Sequence, residues 1–199
     1  TYFYTRQSVQ AGLGHAVRCA KDFVGNDPFI IALGDSIIYS TENDCLLKRM
    51  VDKYKEDESS FIIGTRRVPM DQVHRYGIIE PGGDAGNDIS EIKDMIEKPS
   101  VSNAPSNLAV AARYIMPAGI FDALDRTSPG KGGEIQLTDA IRLLLKEGIK
   151  GYSVSLTENE KRYDIGNFPS YYEAFLDFAL RDEKYGYQLR QYVIEQLSL

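Results

Sequence analysis

Two aspartates stand where strands are expected to end. Gly34-Asp35 follows the apolar run 29–33, and Tyr163-Asp164-Ile165-Gly166-Asn167 follows a strand-rich stretch and precedes a helix that carries Pro169 near its start. In open α/β sheets ligands bind beyond the carboxyl ends of the strands, so a carboxylate at either place faces a crevice. Each is a hard oxygen ligand, and two that converge would hold Mg2+ with room left for phosphate oxygens. Each is also readable as a turn or helix-capping residue, and the sequence does not say whether they meet. A third candidate is Glu97-Lys98-Pro99 at the end of a strand, where Lys98 is a point cation for a phosphate and Glu97 an acceptor for sugar hydroxyls. The same tripeptide suits a surface turn.

Two glycine-bearing segments complete the set. Gln7 precedes Gly12-Leu13-Gly14-His15-Ala16, where glycines let backbone approach a flat ligand and a Gln amide offers one donor and one acceptor to a pyrimidine edge. The spacing matches neither dinucleotide-binding nor P-loop motifs. His15 is one of only two histidines, which disfavours imidazole metal ligation and suits a structural place at a helix start. The segment from Gly130 to Asp139, rich in glycine, feeds a helix whose first turn carries Asp139, an arrangement that the helix dipole favours. It reads as structural by default and otherwise as a mobile lid or interface loop.

The elements that must position these residues follow from patterning. Residues 2–6 read as a strand from their aromatics and Thr, and residues 13–24 as one helix from apolar spacing. The run 29–33 reads as a strand covered on both faces, as in a parallel sheet. A helix through Leu46, Met50 and Tyr54 and a strand at 60–68 continue a βαβ alternation that points to a doubly wound sheet. Residues 76–80 and 89–97, joined by a turn through 81–88, look like an inserted hairpin. A strand at 108–116, a short helix at 119–124, an amphipathic helix at 137–146 stopped by Gly148, and a strand at 152–156 come next. Two helices, through Tyr172 and Phe175 and through Leu189 and Val193, end the chain.

Composition bounds the function. With 23 Lys+Arg against 29 Asp+Glu the net charge is −6, so a dedicated nucleic-acid binder is disfavoured. With 43% hydrophobic residues in 199, the chain suits one globular α/β domain, with or without an appendage. Cys19 and Cys45 form no disulfide framework, which fits a cytoplasmic setting. No apolar run exceeds five residues, so no membrane span and no secretory signal are expected.

Together and in this order, these segments resemble the bacterial UTP-glucose-1-phosphate uridylyltransferases, a family of sugar nucleotidyltransferases. The matching pieces include Arg6-Gln7 with Gly12-Leu13-Gly14-His15-Ala16, Leu33-Gly34-Asp35, Arg75-Tyr76-Gly77, Glu97-Lys98-Pro99, Gly132-Gly133-Glu134-Ile135-Gln136-Leu137-Thr138-Asp139 and Lys161-Arg162-Tyr163-Asp164-Ile165-Gly166. The resemblance implies a Rossmann-like nucleotidyltransferase fold of the glycosyltransferase-A kind, a mixed sheet flanked by helices, with the core at 1–167 and a helical extension at 168–199. It implies uridylyl transfer between UTP and glucose 1-phosphate, giving UDP-glucose and pyrophosphate. Gln7 and Gly12 would meet the uracil, Gly77 and Glu97 the glucose, and Lys98 its phosphate, while Asp35 and Asp164 would hold Mg2+. Asp35, Lys98 and Asp164 would be the catalytic set.

At residue 36 a Ser stands where many relatives carry a second Asp. The family's glycine-rich triphosphate loop has no counterpart after Thr1, so the expectation is a fragment lacking its N-terminal portion, inactive or nearly so alone. The alternatives are a relative transferring thymidylyl or adenylyl groups, and a non-catalytic binding or assembly module using the aromatics of the C-terminal helices. A homo-oligomer is expected, because an incomplete sheet leaves an edge and an apolar face to be covered.

Overall fold

The structure is a computed structural model that describes residues 1–83 and 88–198. Its elements run α1 (Leu13–Arg18), α2 (Lys21–Val24), β1 (Phe29–Ala32), β2 (Ser36–Ser40), α3 (Leu46–Glu56), β3 (Phe61–Arg67), β4 (Gly77–Pro81) and β5 (Ile89–Glu97). They continue with β6 (Leu108–Met116), α4 (Ile120–Arg126), α5 (Leu137–Lys146), β7 (Gly151–Ser155), β8 (Glu160–Asp164), α6 (Phe168–Arg181) and α7 (Gly186–Leu197). Six strands form the main sheet in the order β1-β6-β3-β7-β5-β4, and β2 pairs with β8 in a separate ribbon. The α/β class and the mixed sheet flanked by helices match expectation.

Alternation along β3 sets the two faces of the sheet. Phe61 and Ile63 point to one side, against α4 and α5, where Phe121, Leu124, Leu137, Ala140, Ile141 and Leu144 are buried. The α5 residues recur at i, i+3, i+4 and i+7, one stripe of a helix, and each large apolar side chain buried is worth about 1.5–3 kcal/mol. Ile62 points to the other side, where Leu46 and Met50 of α3 cover it with Ile115 and Val154. Gly151, paired with Phe61, leaves room for that ring: a Cβ there would stand 2.2 Å from Phe61 Cζ. A two-pronged ion pair, Arg142 Nε and Nη2 to the Asp94 carboxylate at 2.8 Å each, ties α5 to β5.

The ribbon is fastened to the body by Glu160, whose side chain is 1% exposed. Its carboxylate accepts from Leu46 N at the start of α3, from Arg49 Nη2, and from Thr157 N at 2.9 Å. The negative charge thus serves a helix N-terminus and a neighbouring arginine together.

Several expectations are corrected. Residues 2–6 form no strand: Tyr2 and Tyr4 are 87% and 88% exposed, and β-propensity makes no strand where no ladder partner stands beside it. The helix foreseen at 13–24 is two helices, because Ala20 N bonds Val17 O in a tight turn while the apolar spacing continues across the break. β1 is antiparallel to β6 and lies at the end of the strand order among the described residues, with Ile31 buried and Ile30 47% exposed. A short apolar run reads alike for a strand buried on two faces and on one. Among the described residues the one parallel pair in the main sheet is β3 with β7, so the sheet is mixed rather than wound as successive βαβ units. β4 and β5 pair as a hairpin but are part of the main sheet, through β7 and β6, rather than an insertion. Part of their connecting turn lies outside the described residues.

Glu160→Ala removes three partners at once and leaves the Arg49 charge, 14% exposed, without its carboxylate. The expected loss of stability is about 3 kcal/mol or more, read as a lowered urea midpoint.

Candidate functional site

The β2–β8 pairing brings the two aspartates together. Ser36 is opposite Asp164 in the register, and Ile165 N donates to Asp35 O at 2.8 Å. Gly166, just past β8, leaves an open point between the carboxylates: a Cβ there would be 3.3 Å from Asp164 Oδ1 and 3.4 Å from Asp35 Oδ2. No group of three or more His, Cys, Asp or Glu side chains that could hold a metal occurs among the described residues. Two carboxylates around an open point nonetheless fit Mg2+, which takes few protein oxygens and fills its shell with water and phosphate.

Beside this pair opens a cleft of about 270 Å³, lined by Gly77, Glu97, Lys98, Thr138, Tyr114 and Arg162 among others. Gly77 and Glu97 are opposite each other in the β4–β5 ladder, and a Cβ on Gly77 would stand 3.2 Å from Glu97 Oε2. That oxygen accepts from Thr138 Oγ1 at 2.7 Å, so the first turn of α5 orients the Glu97 carboxylate. Lys98 adopts φ 47°, sparsely populated by residues with a Cβ, and is held there by its N–H bond to Tyr76 O at 3.0 Å. Its ammonium lies 3.9 Å from Glu97 Oε1 and is 63% exposed, free to meet an anion in the cleft. Tyr114 is buried, and burial raises its phenol above the usual range with the Glu97 charge adding to it, so it stays protonated.

Arg162 joins cleft to carboxylates. It lies two residues before Asp164 on β8, therefore on the same strand face, and its Nε donates to Ser36 Oγ at 2.7 Å. Its Nη1 is 3.5 Å from Asp164 Oδ2.

Gln7 and Gly12 stand apart from that lining. Gln7 Nε2 donates to Gly12 O at 3.1 Å and lies 2.8 Å from His15 Nδ1, within hydrogen-bond distance. His15 thus has the structural place expected of it. Gly12 has φ +91°, and a Cβ on it would meet Glu134 Cβ and Ile135 O at 2.8 Å, so this loop packs backbone to backbone on residues 134–135. Gly14 N to Ile135 O at 2.9 Å and Ile135 N to Ala11 O at 2.8 Å complete the contact. The loop adjoins the cleft through its neighbours Leu13 and Glu134. Within the glycine segment from Gly130 to Asp139, Gly130 N bonds Glu134 O at 2.8 Å.

Of the expected site residues, the structure therefore gathers Gly77, Glu97 and Lys98 in one cleft and Asp35 with Asp164 beside it, while Gln7 and Gly12 form a separate, adjoining loop. Thr138 and Arg162 lay inside recognised motifs without being singled out. The period of 2 that puts Arg162 on the face of Asp164 was the available signal for the second. Tyr114 had none, since its apolar strand reads as core.

The family described as nucleotidyl transferase matches residues 1–180. The chain belongs to the nucleotidyl transferase family. As a nucleotidyl transferase it is 39% identical over 198 residues to the UTP–glucose-1-phosphate uridylyltransferase of Staphylococcus epidermidis, covering 99% of this chain and 66% of that protein. Its fold is similar to a UTP-bound UGPase from Acinetobacter baumannii, with TM-score 0.85, 33% identity, and coverage of 96% of this chain and 64% of the other. A UDP-glucose pyrophosphorylase complexed with UDP-glucose aligns with TM-score 0.82 and 37% identity, over 90% of this chain and 66% of that one. The nucleotidyl transferase chain thus spans just under two thirds of the length of these relatives. No helix among its described residues is long and apolar enough to cross a membrane.

Gly166→Ala puts a methyl group where the two carboxylates face each other. Divalent-cation affinity, titrated with Mn2+ by its paramagnetic resonance signal, is expected to fall by roughly tenfold or more; an unchanged affinity would show that the pair does not share an ion.

Proposed function

We propose that the protein transfers a uridylyl group between UTP and glucose 1-phosphate, forming UDP-glucose and pyrophosphate. The observation that carries the reading is the cleft of Gly77, Glu97 and Lys98 opening beside Asp35 and Asp164, in a chain whose relatives carry that activity in their names. A phosphate oxygen of the sugar phosphate attacks the α-phosphorus, a new P–O bond forms, and the bond to the β-phosphate breaks to release pyrophosphate. The attacking oxygen is anionic at neutral pH, so no general base is needed and positioning and charge neutralisation carry the catalysis.

In this reading Gly77, without a side chain, lets the sugar approach the backbone, and Glu97, oriented by Thr138, accepts from its hydroxyls. Lys98 pairs with the sugar phosphate and offsets its repulsion from the nucleotide. Asp35 and Asp164 would hold Mg2+, which when bound neutralises charge on phosphate oxygens. The Gln7–Gly12 loop receives the uracil edge, with the Gln7 amide held by Gly12 O and His15 so that its carbonyl is aimed. Self-association over the edge and apolar face that an incomplete sheet leaves to be covered belongs to the same proposal, as does a cytoplasmic location.

Calorimetric titration of the 199-residue chain with UDP-glucose, dTDP-glucose and ADP-glucose tests the reading. UDP-glucose is expected to bind tightest, and Lys98→Ala to weaken it by roughly tenfold or more, the worth of one charge-assisted hydrogen bond. Equal binding of the three nucleotides, or no effect of Lys98→Ala, would overturn it.

A further inference from the structure

A second cavity, of about 440 Å³, shares Arg162 on β8 with the cleft and includes Arg66 at the end of β3 in its wall. Buried side-chain nitrogen or oxygen atoms without a hydrogen-bond partner number two among the described residues, Arg66 Nε and Arg162 Nη1. Both belong to guanidinium groups on this one wall. Arg66 otherwise bonds Tyr76 OH through Nη2 at 3.0 Å, and Arg162, 8% exposed, bonds Ser36 Oγ.

Like charges share this place. Burial holds the Arg66 guanidinium below its ordinary range, and the Arg162 charge lowers it further against the opposing pull of Tyr76 and Asp164. Arg113 is lowered likewise, by burial and then by Arg162. The nearest carboxylate oxygen recorded for either is Asp164 Oδ2, 3.5 Å from Arg162 Nη1, too long for a full charge-assisted bond. Glu160 on the same wall is committed to Arg49 and Thr157, and the wall's other acids, Asp88 and Glu158, are exposed to solvent.

Buried cations with unspent donors are costly unless an anion meets them. Two guanidinium forks on one wall suit a tetrahedral oxyanion that offers oxygens in several directions. We infer that Arg66 and Arg162 form a subsite for a phosphate-type oxyanion, separate from the Lys98 cleft. The anion comes either as a free phosphate or pyrophosphate or as a phosphate group of a bound nucleotide.

Calorimetric titration with pyrophosphate and with inorganic phosphate tests this without relying on the uridylyl reading. Pyrophosphate is expected to bind the unaltered chain and Lys98→Ala alike, and Arg66→Met roughly tenfold more weakly, the loss of a charge-assisted bond. Arg66→Lys, which keeps the charge and the stem but not the fork, is expected to fall between them and serves if the Met variant does not fold. A free-anion site is indicated if pyrophosphate still binds in saturating UDP-glucose, and a nucleotide-phosphate site if UDP-glucose displaces it. Absence of phosphate and pyrophosphate binding, equal affinity in the Arg66 variants, or loss of binding in Lys98→Ala alone would overturn the inference. Failure of UDP-glucose to bind leaves the pyrophosphate result standing, so the two readings fail separately.

Discussion

The pairing of β2 with β8 is the interaction on which the rest of the site depends. Two short strands, neither of them in the main sheet, place Ser36 opposite Asp164 and so set the carboxylates of Asp35 and Asp164 around one open point. A slip of one residue would turn Asp164 to the other face of the ribbon. The register is held at one end by the Arg162 bond to Ser36 Oγ and at the other by Glu160, which fixes the ribbon to α3. A buried carboxylate at the base of the ribbon thus helps position the half-buried Asp164 and the exposed Asp35 at its tip.

Backbone strain collects around the same place. Lys98 and Ala112 are the non-glycine residues with positive φ among those described, at 47° and 60°, and both line the cleft. Such conformations cost of order 1–2 kcal/mol each and persist where surroundings over-determine them. Lys98 is fastened by Tyr76 O and followed by Pro99. Ala112 sits where the β3–β6 register shifts between Ile63 and Thr65, and its carbonyl accepts from Leu33 N and from Arg113 Nη1.

Much of this was legible in the chain. The α5 stripe of Leu137, Ala140, Ile141 and Leu144 and the nine-residue β6 announce themselves by periodicity and apolar length, because burial of a stripe leaves a local signature. The helix foreseen at 13–24 and the strand at 2–6 failed for a common reason. A tight turn at Ala20 and the absence of a neighbouring strand are properties of surroundings, whereas apolar spacing and β-propensity are properties of the segment alone. β2 went unforeseen because Ser36-Ile37-Ile38-Tyr39-Ser40 shows neither a continuous apolar run nor a strict alternation that would set it apart.

By itself the sequence determined the α/β class, the order of the motifs, and the candidate residues whose chemistry suits phosphate, sugar hydroxyls and a dication, because these depend on side-chain type and short-range patterning. Only the tertiary structure decided that Asp35 meets Asp164, that Thr138 orients Glu97, that Gln7 is committed to its own loop, and that Arg66 and Arg162 share a wall. The physical reason is that strand register and the packing of α5 bring the distant partners together, and no local preference encodes which two distant segments meet or in which register.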